Sequence, residues 1–107
     1  MEREDAWETL VRALDDVSRR RLLVALLERS ASDEAVRVPE DVHRGDRELE
    51  ALKFDLYHVH LPLLESADYV RWDRETHEVE RGDAFDEIRP VLRVLHDNRD
   101  DLPDGWV

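Results

Sequence analysis

The sequence predicts a mainly α-helical fold completed by one β-hairpin, an α+β class. Apolar residues recur at helical spacing in four stretches, and sustained alternation appears between Tyr69 and Glu80. With 3 Gly and 4 Pro, the chain is too poor in turn residues for an all-β architecture. At 107 residues it has the length of one small domain with a single core, expected to span 1–107.

The first helix is expected over 5–14, where Ala6, Trp7, Leu10, Val11 and Leu14 form a stripe and Asp5 is a plausible N-cap. Asp15, Asp16 and Val17 interrupt it. Ser18 then caps a second helix whose Leu22, Leu23, Leu26 and Leu27 make a broad apolar face. Residues 31–45 are the least regular. Val36 and Val38 alternate as in a short edge strand, Pro39 suits the first turn of a short helix PEDVH, and Gly45 ends it. Asp46 caps a long helix to about Ser66. Strands Tyr69–Asp73 and His77–Glu80 are joined by Arg74, Glu75 and Thr76. Asp83 caps a last helix over 84–97, striped by Phe85, Ile88, Val91, Leu92 and Leu95, with a kink or early break expected at Pro90. The tail 98–107 is expected to be irregular, with Trp106 as its anchor. The organisation is therefore a helix 5–14, a core 18–81, a helix 83–97 and a tail.

Composition excludes several chemistries. The chain has no Cys, hence no disulfide, thiolate metal site or cysteine nucleophile. It has no Gly-rich phosphate loop, nucleophile elbow or His-Glu-x-x-His pair, and Ser18, Ser30, Ser32 and Ser66 read as caps or loop residues. His58 and His60 diverge on a helix, so they do not chelate one ion. No enzyme activity, cofactor or metal is expected. No apolar run is long enough to cross a bilayer, and no signal-peptide pattern follows Met1, so a soluble, cytoplasmic protein without membrane contact is expected.

Charge is the unusual feature. Asp and Glu total 28 against 16 Lys and Arg, a net −12, and Lys53 is the only lysine. Acid excess with Arg in place of Lys resembles proteins of salt-in halophilic archaea. At about 1 M salt the Debye length is about 3 Å, which screens global repulsion from DNA and also weakens counterion release. Net charge then neither favours nor excludes a nucleic-acid partner.

Two segments resemble the ArsR-like winged-helix regulators. Ala13–Leu27, ALDDVSRRRLLVALL, is similar to that family's opening helix. His60–Val70, HLPLLESADYV, is similar to the end of its recognition helix and the corner into the wing, with His60, Leu61, Leu64, Ala67 and Val70 matching position by position. His58-Val59-His60-Leu61-Pro62 also resembles the His-x-His-Leu-Pro signature of a small archaeal winged-helix family. Asp68 stands where the family usually has Gly at the corner, and the thiolate metal-sensing motif is absent. The resemblance implies a winged helix-turn-helix with extra terminal helices, and a dimeric DNA-binding regulator of transcription.

On that basis helix 46–66 enters a major groove, and wing 69–80 meets the backbone or minor groove of double-stranded DNA. Lys53, Tyr57, His58, Arg71 and Arg74 are the candidate contacts. Arg19, Arg20 and Arg21 open a helix, the end that favours anions, so they contact phosphate or pair with Asp15, Asp16 and Glu28. The bland reading of His60 is a buried, hydrogen-bonded histidine; that of the wing is a solvated turn with Arg–Glu pairs. Read as a straight α-helix, 46–66 carries two apolar stripes, Leu49/Leu52/Leu56/Val59/Leu63 and Phe54/Tyr57/Leu61/Leu64. The family register turns Tyr57, Leu61 and Leu64 to the core, so the first stripe needs a second cover. This motivates a homodimer through Trp7, Leu10, Phe85, Ile88, Leu92 and Leu95. The rival expectation is a winged-helix module that binds a protein partner and never touches DNA, favoured by the double stripe and the acidic edge Asp55–Glu65.

Overall fold

The computed structural model describes residues 2–29 and 35–107, with side chains from Asp5 onward; Ser30, Ser32 and the start of the irregular stretch 31–45 lie outside the described residues. In chain order the elements are α1 (Glu2–Leu14), α2 (Val17–Glu28), β1 (Val36–Arg37), α3 (Leu49–Asp55), a π-helical segment (Leu56–His60), α4 (Leu61–Ser66), β2 (Val70–Asp73), β3 (Glu78–Arg81), α5 (Phe85–Asp97) and a 3-10 turn (Arg99–Asp101). The class is α+β, helices around one antiparallel sheet of order β1-β3-β2. Val36 and Trp72 both pair with Val79. Val36, Val70, Trp72 and Val79 are buried on one face, while Arg71, Asp73 and Glu80 point to solvent, as a period of two requires. β1 is an edge strand, as Val36 and Val38 suggested. PEDVH is not a helix but a run of turns closed by Asp41 N–H to Arg37 O and His43 N–H to Pro39 O.

Several helix starts differ from expectation, and at Asp46 and Asp83 the expected cap is engaged elsewhere. Asp5 lies inside α1, where its carbonyl accepts from Thr9 Oγ1. Asp16, not Ser18, caps α2; its carboxylate accepts from Ser18 N–H at 2.7 Å, and Ser18 is buried in the first turn. Asp46 is paired with Arg21 at 2.9 Å, so α3 starts only at Leu49. Asp83 pairs with Arg71, and α5 starts from Ala84 without a side-chain cap. Pro90 does not break α5, which runs on to Asp97.

The long helix departs most. Leu61 N–H bonds to Leu56 O, five residues back, so the turn between them holds one extra residue. That residue re-phases the helix. Leu52 and Leu56 before it, and His60, Leu61 and Leu64 after it, all come to the buried side. The two stripes of a straight α-helix become one inner face, and Leu49, Phe54 and Val59 are left exposed. Most of the first stripe is therefore covered by the chain's own core.

α5 makes the same point. Phe85, Ile88 and Leu92, expected at a subunit interface, are fully buried in a single core cluster with Leu22, Leu23 and Leu26 of α2. Leu10 joins that cluster from α1, and Leu95 is half-buried beside Leu14 and Trp106 of the tail. A helix with one apolar face spends it on its own domain first. Of the six residues assigned to dimerisation only Trp7 is exposed.

The corner between α4 and the hairpin is turned by a left-handed residue: Asp68 has φ 63°. Its carbonyl accepts from Ala84 N–H, and a Cβ on Gly82 would collide with that same carbonyl oxygen, so glycine is required at position 82 for close approach. Arg81 closes the far side. Its guanidinium donates to Leu26 O at 2.9 Å, Leu27 O at 3.2 Å and Arg29 O at 2.6 Å, satisfying the carbonyl end of α2, and lies over the Phe85 ring.

Candidate nucleic-acid interface

The hairpin folds back against the long helix because Trp72 is on its inner face and Tyr57 on the helix edge, with the rings edge-on at 4.9 Å. This contact aligns a row of cations and aromatic rings. Lys53 Nζ lies 5.6 Å from the Tyr57 ring centroid, and the Arg74 guanidinium lies 4.1 Å from that of Trp72. The Tyr57 hydroxyl is hydrogen-bonded to Nδ1 of His77 in the hairpin turn. Burial, and then the charge of Glu40, push the Tyr57 phenol above its ordinary pKa, so it stays a neutral hydroxyl. The turn is held by Asp73, whose carboxylate accepts from Glu75 N–H at 2.9 Å and Thr76 N–H at 3.3 Å; these bonds hold its pKa below the usual value. Helix and hairpin thus share one strip, Lys53–Tyr57–Trp72–Arg74, with His77 beside it.

Carboxylates border the strip. Arg74 approaches Glu65 at 3.5 Å, Arg71 pairs with Asp83 away from it, and Glu65, Glu75, Glu78 and Glu80 line a shallow hollow with both arginines. These pairs are exposed and individually weak. On the outward side of the long helix, the ring centroids of Phe54 and His58 are 4.3 Å apart, and Phe54 is 62% exposed. Asp55 is held by Arg47 at 2.6 Å.

Not all of the predicted residues join this surface. Lys53, Tyr57 and Arg74 form the strip, and His58 lies on the adjoining outward face. Arg71 is exposed beside the hollow. Arg19 and Arg20 are structural. Arg19 is buried and donates to Arg12 O, Ala13 O and His60 Nδ1; Arg20 donates to Leu14 O and Trp106 O, each at 2.7 Å. Both serve the carbonyl end of α1, the helix before their own, where cations are favoured. Arg21 is committed to Asp46. His60 has the bland fate foreseen for it, buried and hydrogen-bonded. His58 and His60 face opposite ways, and among the described residues no His, Asp and Glu side chains gather as a metal shell.

Sequence reasoning did not foresee how three residues join the site. Phe54 was placed on an inward stripe, and only the π turn reveals its exposure. Trp72 was given no role in the site. His77 was not connected to Tyr57, 20 residues away in sequence. The i,i+4 spacing of Phe54 and His58 was the one local signal available.

No helix among the described residues is long and apolar enough to cross a membrane. Comparison with protein-family models, curated proteins and solved structures finds no match to this chain.

Proposed function

We propose that the chain is a winged helix-turn-helix DNA-binding regulator of transcription rather than an enzyme, with the α3–α4 helix in a major groove and the β2–β3 hairpin as the wing on the adjacent backbone. The observation that carries this reading is the cation–aromatic strip joining the two elements. Lys53 on the helix lies by the Tyr57 ring, Arg74 on the hairpin lies over Trp72, and the two rings are in contact, so each element brings a cation for phosphate to the same junction. The order helix, strand, helix, hairpin from α2 to β3 agrees with that architecture. The chain acts as a homodimer on an inverted repeat, and its subunit contact uses the apolar residues left outside: Trp7 and Val11 of α1 with Val94 of α5.

The test is duplex binding by the full chain in molar potassium chloride. Sequence-preferring binding is expected, and Lys53→Glu and Arg74→Glu should each weaken it and lower the slope of log affinity against log salt by about one. Binding that ignores both substitutions overturns the proposal. Trp7→Glu should convert a sedimenting dimer to monomer without unfolding it.

A second reading, a winged-helix module for a protein partner, is favoured by the exposed Phe54 and the carboxylates around Arg74. It predicts no duplex binding at any salt.

A further inference from the structure

The outward row of the long helix is unlike a generic phosphate-binding surface. By helical spacing and exposure it consists of Ala51, Phe54, His58, Val59 and Pro62, with Glu50 one turn toward the N-terminus. Phe54 is 62% exposed and Val59 49%. The row has no Arg, Lys, Asn or Gln, the side chains that make paired hydrogen bonds to guanine or adenine edges in the major groove. Two charged neighbours are engaged elsewhere, Asp55 tied to Arg47 at 2.6 Å and Lys53 lying over the Tyr57 ring, while Glu50 is exposed at the N-terminal end of the row. Within the row, His58 is the only side chain that can donate a hydrogen bond, and it lies against the Phe54 ring.

In a major groove, the feature an apolar row can distinguish is the thymine C5-methyl group. We infer that this helix selects its DNA by apolar contact of Phe54 and Ala51 with thymine methyls, with His58 donating to an adjacent base acceptor. The inference rests on the DNA-binding reading above and names the ligand of that surface. The apolar row is continuous with the cation–aromatic strip, so the group that covers it must be apolar where Phe54 lies and anionic where Lys53 and Arg74 lie. A thymine-bearing groove edge flanked by phosphates meets both conditions.

The experiment selects duplexes from a random-sequence pool with the full chain in molar potassium chloride, then compares the selected duplex with its uracil-for-thymine counterpart. Uracil lacks only the methyl group. Thymine-rich selected sites are expected, with an affinity loss of about fourfold for each contacted methyl removed, as for one buried methyl or methylene. Phe54→Ala should shrink the thymine–uracil difference to the part that Ala51 supplies. Phe54→Leu, still apolar, should keep more of it. Selected duplex bound equally with thymine or uracil overturns this inference and leaves the DNA-binding reading standing. No duplex binding at all overturns both and assigns the exposed Phe54 row to a protein partner.

Discussion

His60 illustrates how one buried side chain makes stability depend on pH. Its Nδ1 accepts from Arg19 at 2.9 Å, which requires the neutral ring, and its Nε2 lies 3.6 Å from Asp16. Burial lowers the His60 pKa from 6.5; Asp16 opposes that shift and Arg19 adds to it. Burial alone would raise Asp16, but the Ser18 amide, His60 and Arg19 together hold it below the ordinary value. Since His60 binds its proton more weakly when folded, its contribution is complete above pH 6.5 and is lost as pH falls from there toward the lowered folded-state value. Unfolding free energy in molar salt should therefore drop between pH 7.5 and 5.5 by up to about 1.4 kcal/mol per unit. His60→Asn, which keeps an acceptor for Arg19, should flatten that slope; an unchanged slope would place the titration elsewhere. Arg81 holds a second residue-scale role. Removing its bonds to the end of α2 in Arg81→Ala should cost about 1.5–3 kcal/mol in urea titration, the range for charged hydrogen bonds.

Among the elements, the helix through the π segment carries the most consequence. An i→i+5 turn is a helix with one residue inserted, and here the insertion merges two apolar stripes into one. Val59, exposed within that turn, is the natural residue to remove. Deleting it should restore ordinary α register while keeping Leu52, Leu56, Leu61 and Leu64 in phase, since their spacing becomes four, four and three. Cooperative thermal unfolding is expected to survive, with a loss of less than about 2 kcal/mol, well below the 2–5 of emptying a buried leucine site. Loss of cooperativity would mean that the π turn does more than set phase. The hairpin, by contrast, was legible from alternation alone, because a period of two is set by the strand backbone. The exposed caps were not: Asp46 and Asp83 have the right chemistry for N-caps, but each pairs with an arginine brought near only by folding.

Over the whole molecule, the net charge of −12 is the dominant long-range effect. Among the described residues several arginines sit beside a carboxylate, in pairs such as Arg29–Asp41, Arg37–Glu78 and Arg47–Asp55, and the excess acid stays uncompensated. Mutual repulsion among those carboxylates should make the fold weaker at low salt. The thermal midpoint should climb as potassium chloride rises from 0.1 to about 2 M, steeply at first as the Debye length shrinks from about 10 Å. A flat profile would show that the acid excess is not a load on stability. The same screening makes molar salt the condition in which to test the proposed phosphate contacts of Lys53 and Arg74.

The sequence by itself determined the helix and hairpin order and the edge strand at Val36. These follow from side-chain periodicity and from local backbone preference, both written along the chain. Only the tertiary structure decided which apolar face was inner, which arginines were structural and which aromatic rings met. Leu52 and Leu61 share a face because one turn of helix holds an extra residue. Arg19 and Arg20 finish a helix other than their own. Tyr57, Trp72 and His77 become neighbours only when the hairpin packs on the helix. Each of these depends on distances between residues far apart in sequence, which periodicity does not encode.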